Sequence, residues 1–240
     1  MDKINIRGVM FDNVTLQEAV GHVLQFLEGD RPSIVVTPNS EIVQMCLEDA
    51  GTMDVVRQAD LTIPDGIGVV YASKILGTPL KQKVAGFDLA GALLPQLAQK
   101  GKRLYLLGGA PGVAEQAAAR MQQQYPELMI CGTHDGYFKE DAPVIHEINE
   151  SGADILYVCL GAPKQERWMV ANRDQLHVKA MLGLGGSLDV FAGNVKRAPD
   201  IFVKLGLEWF YRLVKEPWRY KRMAKLPKFL VGTIVKRNKA

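Results

Sequence analysis

Only three cysteines occur in 240 residues, Cys46, Cys131 and Cys159, and no two form a C-x-x-C pair. That scarcity argues against a disulfide framework or a thiolate zinc site and fits a reducing compartment. All three lie in apolar stretches and read as core residues. The four histidines stand isolated, and the chain contains no H-E-x-x-H, no Asp-x-Asp and no G-x-S-x-G. Metal catalysis and serine hydrolysis are therefore disfavoured. No uninterrupted apolar run approaches the roughly 20 residues that cross a bilayer. Nor does Met1-Asp-Lys-Ile-Asn5 open a signal-peptide-like segment, so the expectation is a soluble or peripheral, intracellular protein. Acidic residues nearly vanish at the end: residues 193–240 hold 13 Lys/Arg against 3 Asp/Glu, whereas residues 1–192 hold 16 against 23. An acidic body with a basic tail points to a polyanionic partner for the tail, with a solvated charged terminus as the plainer reading.

What is present is an ordinary globular composition, 48% hydrophobic and 23% charged, which excludes disorder over most of the chain. Apolar strand-like runs at residues 34–37, 61–63, 104–107, 128–131, 155–160 and 180–184 alternate with helical periodicities. The first helix opens on the capping-box pattern Thr15-Leu-Gln-Glu18. Others are expected at 40–48, 68–76, 88–99, 113–124, 142–149 and 164–173. This alternation predicts an α/β fold, a Rossmann-like, mostly parallel sheet covered by helices on both faces. After about Gly193 the character changes to aromatics interleaved with Lys and Arg, broken by Pro199, Pro217 and Pro227. The expected organisation is an α/β body over residues 1–195 and a basic, aromatic, helical appendage over 196–240.

Ligands of open α/β sheets bind outside the carboxyl ends of the strands, and the polar residues of this chain gather there. Ile34-Val-Val-Thr37-Pro-Asn39 ends one strand with a hydroxyl and an amide, and Leu61-Thr-Ile-Pro-Asp65-Gly66 ends another with a carboxylate. Asp65 is the expected base. Gly108 and Gly109 open a helix after a strand, where bare N–H groups attract phosphate, although a plain turn fits equally well. Gly185-Gly186-Ser187-Leu-Asp189 ends a further strand; Asp189 fits either a sugar-hydroxyl contact or a helix cap. Lys164, Gln165, Glu166 and Arg167 fall in the first turn of a helix, where basic residues gain nothing from the dipole. Lys164 and Gln165 are expected to face the cleft, and Glu166 and Arg167 to pair at the surface. Asp135-Gly-Tyr-Phe138 is read as a loop or a site wall. In the tail, Arg212, Arg219 and Arg222 would share one side of a helix carrying an apolar stripe at 205, 209, 210 and 213, a pattern suited to an anionic lipid surface.

Taken in order, Thr37-Pro-Asn39, Pro64-Asp-Gly66, Gly108-Gly109, Gly161-Ala-Pro-Lys-Gln-Glu166, Gly185-Gly-Ser-Leu-Asp189-Val-Phe-Ala-Gly193 and Arg197-Ala-Pro199 resemble the WecG/TagA/CpsF glycosyltransferases from about Val9 to the C-terminus. The long basic tail is most like the branch that builds the linkage unit of wall teichoic acid. The resemblance implies an inverting, metal-independent enzyme without cofactors. It would move N-acetylmannosamine from UDP-N-acetylmannosamine to undecaprenyl-diphosphate-linked N-acetylglucosamine in a β-1,4 linkage. It further implies Asp65 as base, Thr37, Asn39 and Gln165 in the pocket, and Arg212, Arg219 and Arg222 completing the site at the cytoplasmic face of the membrane. Gly108, Gly109, Lys164, Gly186 and Asp189 are the remaining substrate-binding candidates. Two other readings stand beside this one. A Rossmann-type cofactor enzyme lacks its G-x-G-x-x-G fingerprint here. A nucleic-acid or membrane adaptor leaves the strand-end polar groups without a role, and nucleic acid is not expected as a partner. An uncovered aromatic tail would also promote self-association into a homo-oligomer.

Overall fold

The computed structural model describes residues 2–199, 201–202, 207–215 and 225–237. The chain opens with an antiparallel hairpin, β1 (Lys3–Ile6) and β2 (Val9–Asp12), joined by Arg7 and Gly8, both at positive φ. That two-residue turn matches the twist of paired strands. Sequence periodicity alone did not reveal the hairpin, because each strand is only four residues long. It is followed by β3 (Ser33–Val36), β4 (Leu61–Thr62), β5 (Arg103–Gly108), β6 (Met129–His134), β7 (Ile155–Cys159) and β8 (Ala180–Gly183), which form one sheet in the order β4-β3-β8-β7-β5-β6. Every neighbouring pair in it is parallel. The six expected strands and the α/β class are thus observed.

Alternate residues of the strands feed two cores, as the two-residue period of a strand requires. Leu104, Leu106, Ile155 and Tyr157 face one side with α1 (Leu16–Phe26), α5 (Gly86–Lys100), α6 (Val113–Gln124) and the short α9 (Ser187–Phe191). Tyr105, Leu107, Leu156 and Val158 face the other with α2 (Ser40–Glu48), α3 (Ala50–Arg57), α4 (Ile67–Ile75), α7 (Asp141–Ser151) and α8 (Lys164–Asn172). The expected capping box of α1 is formed: Thr15 Oγ1 accepts from the Glu18 N–H while a Glu18 carboxylate oxygen accepts from the Thr15 N–H. The outer edge of β4 is covered rather than open. The fully buried Asp12 of the hairpin accepts from the Thr62 N–H at 2.8 Å, which satisfies an edge donor that would otherwise invite pairing.

Two tail helices follow, α10 (Glu208–Lys215) and α11 (Lys225–Arg237). Pro227 falls in the first turn of α11, where a missing N–H costs nothing. α11 packs on α2 and α4, and its Phe229 is fully buried in the second core. The last helix of the basic region is therefore built into the body. Cys46 and Cys159 are buried as expected, whereas Cys131 is half-buried, its thiol 3.4 Å from the Leu104 carbonyl oxygen.

Candidate active site

The connection from β5 runs through α6 outward to β6, while that from β7 runs through α8 in the opposite direction to β8, on the other face of the sheet. A crevice must open where such connections diverge. Gly108 marks the spot: a Cβ there would lie 2.3 Å from the Cys159 carbonyl oxygen, so only glycine lets the two strand ends approach. A cavity of about 920 Å³ runs from this point along the carboxyl edge of the sheet, near the upper end of the usual range for small-molecule sites.

Most of the expected residues converge on it. Thr37, Asn39, Asp65, Gly109, Lys164, Gln165, Gly186 and Asp189 all line the cavity. Gly108 does not line it and acts one step behind, against the Cys159 backbone. Asp65 is half-buried on the loop between β4 and α4, and its N–H donates to the Pro38 carbonyl at 3.3 Å. That bond ties the carboxylate loop to the loop carrying Thr37 and Asn39. Thr37 Oγ1 donates to the Gly183 carbonyl at 2.9 Å, locking the ends of β3 and β8 together. Asn39 caps α2, its Oδ1 accepting from the Glu41 and Ile42 N–H groups, which leaves its amide N–H₂ for a ligand.

Lys164 is held at the rim: its Nζ donates to the Gly136 carbonyl at 2.9 Å and stands 5.1 Å above the Phe138 ring. Gly136, Tyr137 and Phe138 line the cavity, which settles the Asp135–Phe138 segment as a wall. The expected surface pair of Glu166 with Arg167 does not form. Adjacent helix residues point in different directions; Glu166 is buried and Arg167 instead reaches Asp49 at 2.7 Å. Burial holds the Glu166 carboxyl above the usual carboxylate range. It also pushes the Cys159 thiol, on the cavity floor, up to about 12, so that sulfur is a neutral thiol and not a nucleophile.

Helix starts supply positive potential to the same space. α4, α5, α8 and α9 begin without a side-chain cap, and Gly66 to Gly68, Ala85, Lys164 and Gly186 from these starts line the cavity. The positive ends of these helix dipoles favour an anion there. Two cations absent from the sequence-based candidates join them. Lys83 pairs with Glu208 of α10 at 3.3 Å, and Arg197 pairs with Asp88 at 2.6 Å while lying 5.1 Å over the Phe87 ring. Lys83 sits in the polar stretch Lys81-Gln-Lys83, indistinguishable in sequence from a solvent loop. Arg197 stands in the Arg-Ala-Pro199 string and could have been chosen as the first cation after the glycine turn but one. Trp209 and Leu226 bring the tail helices to the cavity as well. Arg212 lies on α10, while Arg219 and Arg222 fall outside the described residues. Among the described residues no group of three or more His, Cys, Asp or Glu is arranged to hold a metal ion.

Comparison with known proteins finds relatives along nearly the whole chain. The model of the glycosyl transferase WecG/TagA/CpsF family matches residues 4–240. The chain is 38% identical to a Bacillus spizizenii protein over 95% of its own length and 90% of the relative's. It is 35% identical to a Bacillus subtilis protein over 100% and 93%, and 36% identical to a Staphylococcus aureus protein over 95% and 91%. All three relatives are named N-acetylglucosaminyldiphosphoundecaprenol N-acetyl-beta-D-mannosaminyltransferase.

Proposed function

This chain belongs to the glycosyl transferase WecG/TagA/CpsF family, and on that premise we propose that it transfers N-acetylmannosamine from UDP-N-acetylmannosamine to undecaprenyl-diphosphate-linked N-acetylglucosamine, a step of wall teichoic acid linkage-unit synthesis. The observation that carries the reading is Asp65 lining the carboxyl-edge cavity together with Thr37, Asn39 and the uncapped starts of α4 and α8. A sugar hydroxyl is a weak nucleophile. As the acceptor hydroxyl attacks the anomeric carbon, the Asp65 carboxylate takes its proton, the new C–O bond forms, and the bond to UDP breaks on the opposite side, inverting the centre. General-base help of this kind contributes about 10²–10⁴-fold.

The departing diphosphate gains negative charge, which fixed donors stabilise at no reorganisation cost. The starts of α4 and α8, with Lys83 and Arg197, are the groups of the body suited to this, and Arg212, Arg219 and Arg222 add to them from the tail without a metal ion. Arginine grips a diphosphate through paired N–H donors.

No helix of the described residues is long and apolar enough to cross a membrane. Peripheral docking on the inner face of the membrane, where a polyprenyl acceptor resides, is supported by the outer surfaces of the tail helices. Phe210 and Val214 of α10 and Val231, Ile234 and Val235 of α11 are exposed among basic residues, a composition that binds anionic lipid. In water the same surface would favour association of two copies.

The test is transfer by the full chain to a polyprenyl-diphosphate-N-acetylglucosamine analogue, with mass spectrometry of the lipid. UDP-N-acetylmannosamine should yield one added acetamido-hexose and free UDP. Product from another UDP-acetamido sugar, with none from this one, would replace the donor in the proposal.

A further inference from the structure

We propose that Glu166 is a positioning residue of the donor site, acting through the amide of Gln165 on the Gly185–Gly186 turn. The proposal rests on the reading of the cavity as a UDP-sugar site and goes beyond it, since Glu166 touches no part of the cavity.

The geometry is a short chain of bonds. Gln165 is only 1% exposed and both ends of its amide are engaged: Nε2 donates to Glu166 Oε1 at 2.9 Å, and Oε1 accepts from the Gly185 N–H at 2.9 Å. A backbone N–H can only donate and a carboxyl oxygen beside an amide nitrogen accepts, so these partners fix which way the amide faces. The amide also lies against the backbone of Gly183. A Cβ on that residue would stand 3.0 Å from Gln165 Nε2 and 2.9 Å from the Met169 methyl. Gly183 has no positive φ, so its lack of a side chain serves this packing and not the backbone. With one N–H held by Glu166, the other N–H of the Gln165 amide remains for a ligand.

Glu166 itself is 1% exposed, and its Oε2 is buried with no hydrogen-bond partner. Its basic neighbours in the helix are committed elsewhere, Lys164 to Gly136 and Arg167 to Asp49. A buried carboxyl left half-satisfied costs stability. A purely structural role would be better served by a leucine of similar size. What Glu166 supplies that leucine cannot is the acceptor that orients Gln165.

Stability and binding should therefore separate. In Glu166→Leu the relief of an unpartnered carboxyl offsets the lost partner of the Gln165 amide, so it should melt close to the wild type, yet bind UDP about tenfold more weakly, equivalent to about 1.4 kcal/mol. Glu166→Gln keeps an acceptor oxygen and should bind within about threefold of wild type, an effect smaller than the loss of a buried hydrogen bond. UDP affinity by calorimetry and melting by scanning fluorimetry, both on the full chain, read this out. Wild-type affinity in Glu166→Leu would overturn the proposal, as would equal losses in the Leu and Gln variants. Should Glu166→Leu not fold, Gly183→Ala displaces the same amide from its other side: weaker UDP binding supports the proposal and unchanged binding overturns it. A wild-type protein that leaves UDP unbound would instead overturn the donor reading, and this inference with it.

Discussion

The sheet edge and the tail reach the same cavity by different physical means. Thr37, Asn39, Gln165 and Gly185 are fixed by hydrogen bonds to backbone groups of a parallel sheet and its helix starts, with Thr37 and Gln165 buried. The tail instead has one anchor and one loose surface. Phe229 of α11 is fully buried, whereas Phe210 and Val214 of α10 are 46% and 62% exposed. α10 meets the body through Trp209 at the cavity and through Glu208, whose ion pair with Lys83 is only partly buried. The sheet edge is thus set by the fold of the body, whereas α10 reaches the cavity with apolar side chains still exposed.

The largest effect separating the two regions should come from the tail arginines. Replacing Arg212, Arg219 and Arg222 together by alanine should lower turnover about 10²–10³-fold, the loss typical of removing fixed stabilisation of a leaving charge. UDP affinity should fall as well, because the same donors grip its diphosphate. Unaltered turnover would confine the chemistry to the body. Next in size is the anchor: Phe229→Ala should destabilise the whole fold by about 3–5 kcal/mol, seen as a fall in the denaturation midpoint. A midpoint near that of the wild type would mean that α11 is not part of the cooperative unit. By contrast, Phe210→Ser with Val214→Ser should shift stability by no more than about 0.5 kcal/mol while reducing sedimentation with anionic vesicles. Undiminished vesicle binding would move the lipid surface away from α10.

The smallest effect belongs to the N-terminal cap of α1. Hydrogen bonding to the Thr15 N–H, with help from Lys81, holds Glu18 down to about 2 from its ordinary 4.5. A lowered folded-state pKa stabilises above the unfolded value and loses that contribution as pH falls through the folded one. The melting temperature of Glu18→Gln should thus lie slightly below wild type at pH 7. The gap should close between about pH 4.5 and pH 2, and turnover at pH 7 should match the wild type. No gap at pH 7 would assign the cap to the Thr15 hydroxyl alone.

Much of the body was legible because its strands are continuous apolar runs ended by Pro, Gly and polar residues, which is how a parallel sheet with a ligand edge is written. Asp65, Thr37 and Asn39 stood out for that reason. The β1–β2 hairpin and α3 were not legible: the one is too short to show a period, and the other begins at the Asp49 cap immediately after α2 ends. Glu166 was misjudged because a charged residue beside an arginine reads as a surface pair, and only the packing of α8 on the sheet shows it buried. Lys83 and Glu208 lie 125 residues apart, and nothing local marks either as part of a site. The tail was read as a basic, aromatic, helical appendage from its composition, and nothing local marked Phe229: one buried ring among many lysines is invisible until the packing of α11 on α2 and α4 exists.

Everything proposed for the reaction turns on Asp65, and turnover of Asp65→Asn measured beside its UDP affinity is the most direct test. The variant should lose about 10²–10⁴-fold in kcat while binding UDP as the wild type does. Near-normal turnover in a folded Asp65→Asn protein would contradict its assignment as the base.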